Sequence, residues 1–288
     1  MSLWNERRPL CKDFAFIPPN TSSSRSPCPA LNALANHGYI ARDGKNIRFW
    51  TLLRATQHVY NLSFPLALLL TTVGYITCGT VCLFPPHAPH DDEPRGVLAA
   101  ITRFLPCPTL NLASLSAQGP LKIAHDASLV HADDASSCAP DPALVTQLLC
   151  LAYYPPTASH ASVGGRSGQP SAQTQADAEK EKWHAGLTLA DLGRLHAARE
   201  AAEPHALNRL HEQVALGECG LAWCVMRERR TGKADEDPIP PAALEQWFGE
   251  ERLPDGWWDV GGGRPVRTVG LLEAARRAKE VGLFKHRK

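Results

Sequence analysis

The sequence predicts an all-α protein, and three observations carry that prediction. Apolar residues recur at three- and four-residue steps through several long stretches, helix start and stop signals frame those stretches, and no convincing alternating run marks a strand beyond a short hairpin. The 288 residues suffice for one large domain or two small ones, and an apolar fraction of 44% supplies a sizeable core.

The elements follow in order. Pro29 opens a helix with Leu31, Leu34 and Ala35 on one side, and His37-Gly38 closes it, the glycine suiting a helix stop. Asp43-Gly44 forms a turn, and a second helix starts at Asn46 or just after, carrying Phe49, Trp50, Leu52 and Leu53. Val59 to Pro86 has no formal charge and is long enough to span a bilayer. Pro65, Gly74, Gly79, threonines, Cys78 and Cys82 interrupt it and no positive cluster follows, so a buried core helix is expected, and no membrane span. That run would also serve as the apolar wall of a cofactor pocket. Residues 156–182 are small, polar and patternless, which predicts a disordered insertion. Thr188 and Asp191 form the start of a capping box, and Pro204 marks that helix's stop. The strongest helix follows, with Leu207, Leu210, Val214, Leu221 and Val225 as its apolar stripe. A short helix between prolines at 240–254 and an amphipathic C-terminal helix complete the pattern.

Thirty basic against 29 acidic residues leave a net charge of +1, so no global field favours nucleic acid. None of the nine cysteines sits in a Cys-x-x-Cys pair; the 78/82 and 219/224 spacings suit helix faces better than zinc sites or disulfides. With no apolar leader in the opening residues, an intracellular location is the expectation.

Pro-Cys-Pro occurs twice, around Cys28 and Cys107. A thiol at a helix N-terminus meets the positive end of the dipole and unpaired N–H groups, which favours the thiolate that binds metals. The flanking prolines make a rigid mount. From these residues alone a buried, inert cysteine is the favoured reading of each, and only the flanking sequence separates them.

The stretch "RSPCPALNALANHGYIARDGKNI" resembles the opening of the fungal haem-thiolate peroxidases, the family of chloroperoxidase and the unspecific peroxygenases. The resemblance implies that Cys28 is the axial thiolate on the iron of haem b, and it leaves Cys107 structural. A second motif, Ala124 to Ser128, is similar to one in which a glutamate, a serine and a haem propionate hold Mg²⁺ or Mn²⁺. Ser128 is kept, but Ala124 replaces the glutamate, which implies a cation site lost or much weakened. In the branch that His125 and Asp126 match, the histidine orients the acid–base residue; Asp126 is expected to fix its tautomer.

A third motif, "VALGECGLAW", resembles the helix that bears the distal acid–base glutamate, here Glu218. The residues support it separately: Val214, Leu221 and Ala222 surround Glu218 at helical spacing, an aliphatic setting expected to raise its pKa. The fourth, "FGEERLP", reads as architecture, with Glu251 and Arg252 as helix-end charges. The matches run from about Phe14 to Pro254 and imply one multi-helix haem-peroxidase domain over residues 1–288. The implied partners are hydrogen peroxide and a small apolar organic substrate, in a pocket formed by Ile123, Val214, Gly217, Leu221 and Ala222. Oxygen insertion is the favoured reaction over halide oxidation. A haem carrier without turnover, a membrane-anchored protein and a Cys-His hydrolase are the competing classes.

Overall fold

The computed structural model describes residues 14–82, 107–119, 121–132, 138–153, 186–228 and 237–285. The expected insertion at 156–182 lies outside them. Helix α1 (Pro29–Asn36) begins where predicted, with Cys28 in extended backbone as its N-cap and Pro29 in its first turn. At its end the His37 and Tyr39 amides return to the carbonyls of Ala33 and Leu34, and Gly38 takes a φ of +73°. Gly44 is required in the next turn: its φ is +68°, and a Cβ there would stand 2.1 Å from the Ser24 carbonyl oxygen.

Helices α2 (Phe49–Tyr60) and α3 (Phe64–Cys78) pack against each other, and Ser63 caps α3 through the Leu66 amide. The expectation of a buried core helix holds for one side only. Leu66, Ala67, Thr71, Gly74 and Tyr75 are buried, whereas Leu69, Leu70, Val73 and Ile76 are exposed, Ile76 to 79%. Among the described residues, α2 covers one side of α3 and nothing seals the other. No described helix is long and apolar enough to cross a membrane.

A small antiparallel sheet of order β1-β3-β2 joins Ile47–Arg48, Cys107–Leu110 and Thr80–Cys82. It exceeds the expected hairpin, and its strands are too short to show a period of two. Cys78 ends α3 and Cys82 lies in β2, so those two do not share a helix face.

Helix α4 (Pro142–Tyr153) has a start signal that the apolar pattern alone missed: Asp141 Oδ1 accepts from the Ala143 and Leu144 amides, just before a proline suited to a first turn. The Thr188–Asp191 capping box opens α5 (Leu189–Ala202) as expected, a device worth about 1 kcal/mol. Asn208 caps α6 (Arg209–Met226). The predicted stripe of α6 is displaced: Ala215, Leu216, Cys219, Gly220 and Trp223 face the core, while Leu210 is exposed and Val214 and Leu221 are half-buried.

The short α7 (Pro241–Leu244) runs into a π turn at Glu245–Gly249 that buries Trp247 and Phe248. Helix α8 (Leu271–Lys285) lies across α5 and α6. The approach to α6 is close: a Cβ on Gly220 would meet the Ala278 amide nitrogen at 2.7 Å. Trp223, fully buried in α6, lies under the guanidinium groups of Arg227 and Arg277, 4.3 and 4.8 Å from its ring centre.

Candidate active site

The Cys28 turn rests on a buried polar framework. Asn32, one turn into α1, receives the Ser26 amide on Oδ1 at 2.9 Å, and its Nδ2 donates to the Ser26 carbonyl at 2.7 Å and to Glu251 Oε1 at 2.5 Å. The Cys28 amide donates to Ser26 Oγ at 3.3 Å. One turn further, Asn36 takes the Arg25 guanidinium on Oδ1 and donates from Nδ2 to the Glu251 carbonyl at 3.0 Å. Glu251 is thus no helix-end charge: it is 5% exposed and held at a φ of +53°, a conformation costly for a residue with a side chain. Its carboxylate and the Arg25 guanidinium are buried on the same framework. Arg252 does lie at the surface, paired with Asp255 and Glu250.

Above this turn opens a mostly apolar cavity with about 700 Å³ of empty space, part of it open to solvent. Cys28 and its two flanking prolines form the floor. Tyr60, Trp247 and Phe248 form an aromatic wall, with the Tyr60 ring edge-on to Trp247 at 5.2 Å. Glu218, Leu221, Ala222 and Val225 of α6 form another wall, and the loop from Ser128 to His131 closes the remaining side. Of the described residues of the uncharged run, Tyr60 and Leu62 reach the cavity and none of α3 does.

The electrostatics of Cys28 differ from the expected thiolate. Burial pushes its thiol up to about 12, and the helix N–H groups of Leu31 and Ala30 offset this only in part; the charges of Glu218 and Glu251 add to the rise. The sulfur is a neutral thiol until a cation displaces its proton, as a coordinating metal does.

His125 and Glu218 meet at the cavity's edge, with Nε2 and Oε2 3.2 Å apart. The imidazole is 4% exposed and the carboxyl 51%. The aliphatic enclosure expected around Glu218 is therefore half open. Burial tends to lower the His125 pKa, but the charge and hydrogen bond of Glu218, with the Asp126 carbonyl, outweigh it and raise it to about 9. At neutral pH the ring is an imidazolium with both N–H groups engaged, Nδ1 donating to the Asp126 carbonyl at 2.7 Å. Asp126 fixes this ring through its backbone, helped by Ala127, whose φ of +63° turns the loop back.

Of the five expected pocket residues, Leu221 and Ala222 line the cavity. Ile123 packs against the hydrophobic core, and Val214 and Gly217 are half-buried on α6 away from the lining. Cys107 starts β3, remote from the floor, as befits a structural role. Sequence reasoning missed Tyr60, Trp247, Phe248 and His131. The first three are aromatic and apolar, like any core residue in sequence, and His131 carries no motif of its own.

The donor set fits a porphyrin with its iron: a soft sulfur on the floor, apolar and aromatic walls, and a buried histidine on the loop. Beside Ser128, Ala124 brings no side-chain oxygen where the motif it resembles has a carboxylate.

The family model described as peroxidase, family 2, matches residues 14–260 of the chain. Over 83 residues the chain is 42% identical to the aromatic peroxidase fscJ of Fusarium equiseti, a match covering 28% of this chain and 19% of that protein. Over 63 residues it is 41% identical to a chloroperoxidase of Leptoxyphium fumago, covering 22% and 17%. Over 62 residues it is 40% identical to the dothistromin biosynthesis peroxidase dotB of Dothistroma septosporum, covering 22% and 15%. The chain spans less than a fifth of the length of each of these relatives.

Proposed function

Because the chain belongs to peroxidase family 2, we propose that it is a haem-thiolate enzyme that uses hydrogen peroxide to insert oxygen into small apolar organic substrates. The observation that carries this reading is the convergence of the Cys28 sulfur and the Glu218 carboxyl on one cavity with apolar walls.

When bound, the haem supplies the two-electron oxidising chemistry, which electron donation from a sulfur ligand promotes. The protein's share is binding, orientation and proton movement. Cys28, locked by Ser26 and Asn32, presents sulfur to the iron and surrenders its proton on ligation. Glu218, positioned by His125, takes the proton from the peroxide's inner oxygen on Oε2 and returns it to the departing outer oxygen. His125, its pKa raised beside Glu218, holds that carboxyl in place through Nε2. Leu221, Ala222 and Val225, beside Glu218 on α6, exclude water and favour an apolar guest.

The reading is tested on protein loaded with haem. Reduced and exposed to CO, it is expected to show the strongly red-shifted Soret band of sulfur ligation, and Cys28→Ser is expected to lose it. A Cys28→Ser variant that keeps that band and its oxidising activity would sink the proposal. Glu218→Gln is expected to keep the band and lose 10²–10⁴-fold in peroxide-dependent turnover, about the size of a general acid–base contribution. A carrier without turnover would be indifferent to it. The likeness to a chloroperoxidase favours halide oxidation as a second reading. Product analysis with and without chloride separates the two.

A further inference from the structure

His131 lines the cavity on the wall next to the Cys28 floor. It is 2% exposed, and among the described residues neither ring nitrogen has a hydrogen-bond partner. A buried imidazole left so is costly, and such a group calls for a partner from water, an ion or a ligand.

Its surroundings supply none. Glu251 Oε1 is 3.9 Å from Nε2, beyond hydrogen-bond reach, and that oxygen already accepts from Asn32 at 2.5 Å. Nor is the loop free to carry the ring elsewhere. The His131 amide donates to Ser128 Oγ at 3.4 Å, the Asp141 amide to the Val130 carbonyl at 2.7 Å, and Arg199 Nη2 to the Leu129 carbonyl at 3.1 Å. Because the ring lines the cavity, the cavity's occupant is placed to bring the acceptor. If that occupant is the haem, its iron is claimed by Cys28, and its remaining strong acceptors are its two carboxylates.

We propose that His131 is the seat of a porphyrin carboxylate, an N–H of its ring donating to a carboxylate oxygen and the hydroxyl of Ser128 standing on the same wall. The seat needs no divalent cation, consistent with Ala124 bringing no oxygen to this side. The inference rests on the haem reading, and its test is built on binding rather than turnover, so that the two can fail separately.

Wild type, His131→Phe and His131→Gln are titrated with haem and with haem dimethyl ester in EDTA. Quenching of tryptophan fluorescence reports binding, since Trp247 lines the cavity. Wild type is expected to prefer the free acid about tenfold or more, the equivalent of about 1.4 kcal/mol for a charge-assisted hydrogen bond. His131→Phe is expected to bind both equally. His131→Gln, near in size and able to donate one neutral hydrogen bond, is expected to keep a preference of about threefold and decides the question if the phenylalanine variant does not fold. Either variant discriminating as well as wild type, or a wild-type preference that EDTA abolishes, overturns the carboxylate seat alone. Failure of wild type to bind either porphyrin overturns the haem reading with it.

Discussion

Raising the pH of the free protein from 6.5 to 9.5 is expected to weaken it by about 1–2 kcal/mol through the pair of His125 and Glu218. In the unfolded chain the imidazole titrates at its ordinary 6.5, and in the folded protein Glu218 and the Asp126 carbonyl raise it to about 9 against the opposing pull of burial. Between those values the folded protein holds a proton that the unfolded chain has released. The stabilisation is complete below 6.5 and disappears as the pH climbs through about 9. At about 1.4 kcal/mol for each pH decade the gap sets a ceiling of about 3 kcal/mol. Water reaches Glu218, whose side chain is 51% exposed, and screening brings the figure down to the lower range. Other titrations touch the ends of this window. His37 and His196, lowered chiefly by burial, change charge at its lower edge. The buried thiols of Cys28 and Cys219, raised from 9.0 to about 12, add a loss of their own from about pH 9, where the unfolded chain ionises them. The difference between wild type and Glu218→Gln is therefore what isolates the pair. Urea unfolding followed by tryptophan fluorescence at pH 6, 7.5 and 9 measures the effect. Glu218→Gln should flatten the profile. If that variant and wild type lose stability in parallel across the window, the pairing contributes nothing and the reasoning fails.

Two further outcomes follow from the framework under Cys28. Gly44→Ala places a Cβ 2.1 Å from the Ser24 carbonyl oxygen at a φ of +68°, so the urea midpoint should fall by the equivalent of about 2 kcal/mol or more; an unchanged midpoint would show that the turn yields freely. Glu251→Ala strips Asn32 Nδ2 of one acceptor and removes the larger of the two carboxylate charges near the buried Arg25, leaving Asp43, an expected loss of about 3 kcal/mol in the same assay. Glu251→Gln, which keeps an acceptor oxygen, should recover a good part of that loss, and no recovery would refute the hydrogen-bond account.

What could be read in the sequence was what is written locally. The proline and glycine around α1, the Thr188–Asp191 box and the amphipathic C-terminal helix are short-range signals, and each appears where expected. Long-range structure was hidden. The three strands are two to four residues long and draw their partners from residues 47 to 110, so no local period announces them. The apolar stripe of α6 was visible, but a cavity wall and a core face look alike in hydropathy; the smaller Ala215, Cys219 and Gly220 form the core side because α8 packs so closely. Glu251 read as a surface charge because its partner Asn32 is 219 residues away in the chain. His125 and Glu218, 93 residues apart, were joined in sequence only by likeness to a family, and the structure brings them within 3.2 Å.

The neutral state of the Cys28 thiol bears on survival before the cofactor arrives. Peroxide attacks sulfur as its anion, and burial holds the Cys28 thiol well above its ordinary range, so that the anion is scarce at neutral pH. Burial therefore shelters this sulfur from the very oxidant the protein is proposed to consume. Vulnerability and competence would then be acquired together, at the moment the iron takes the proton's place.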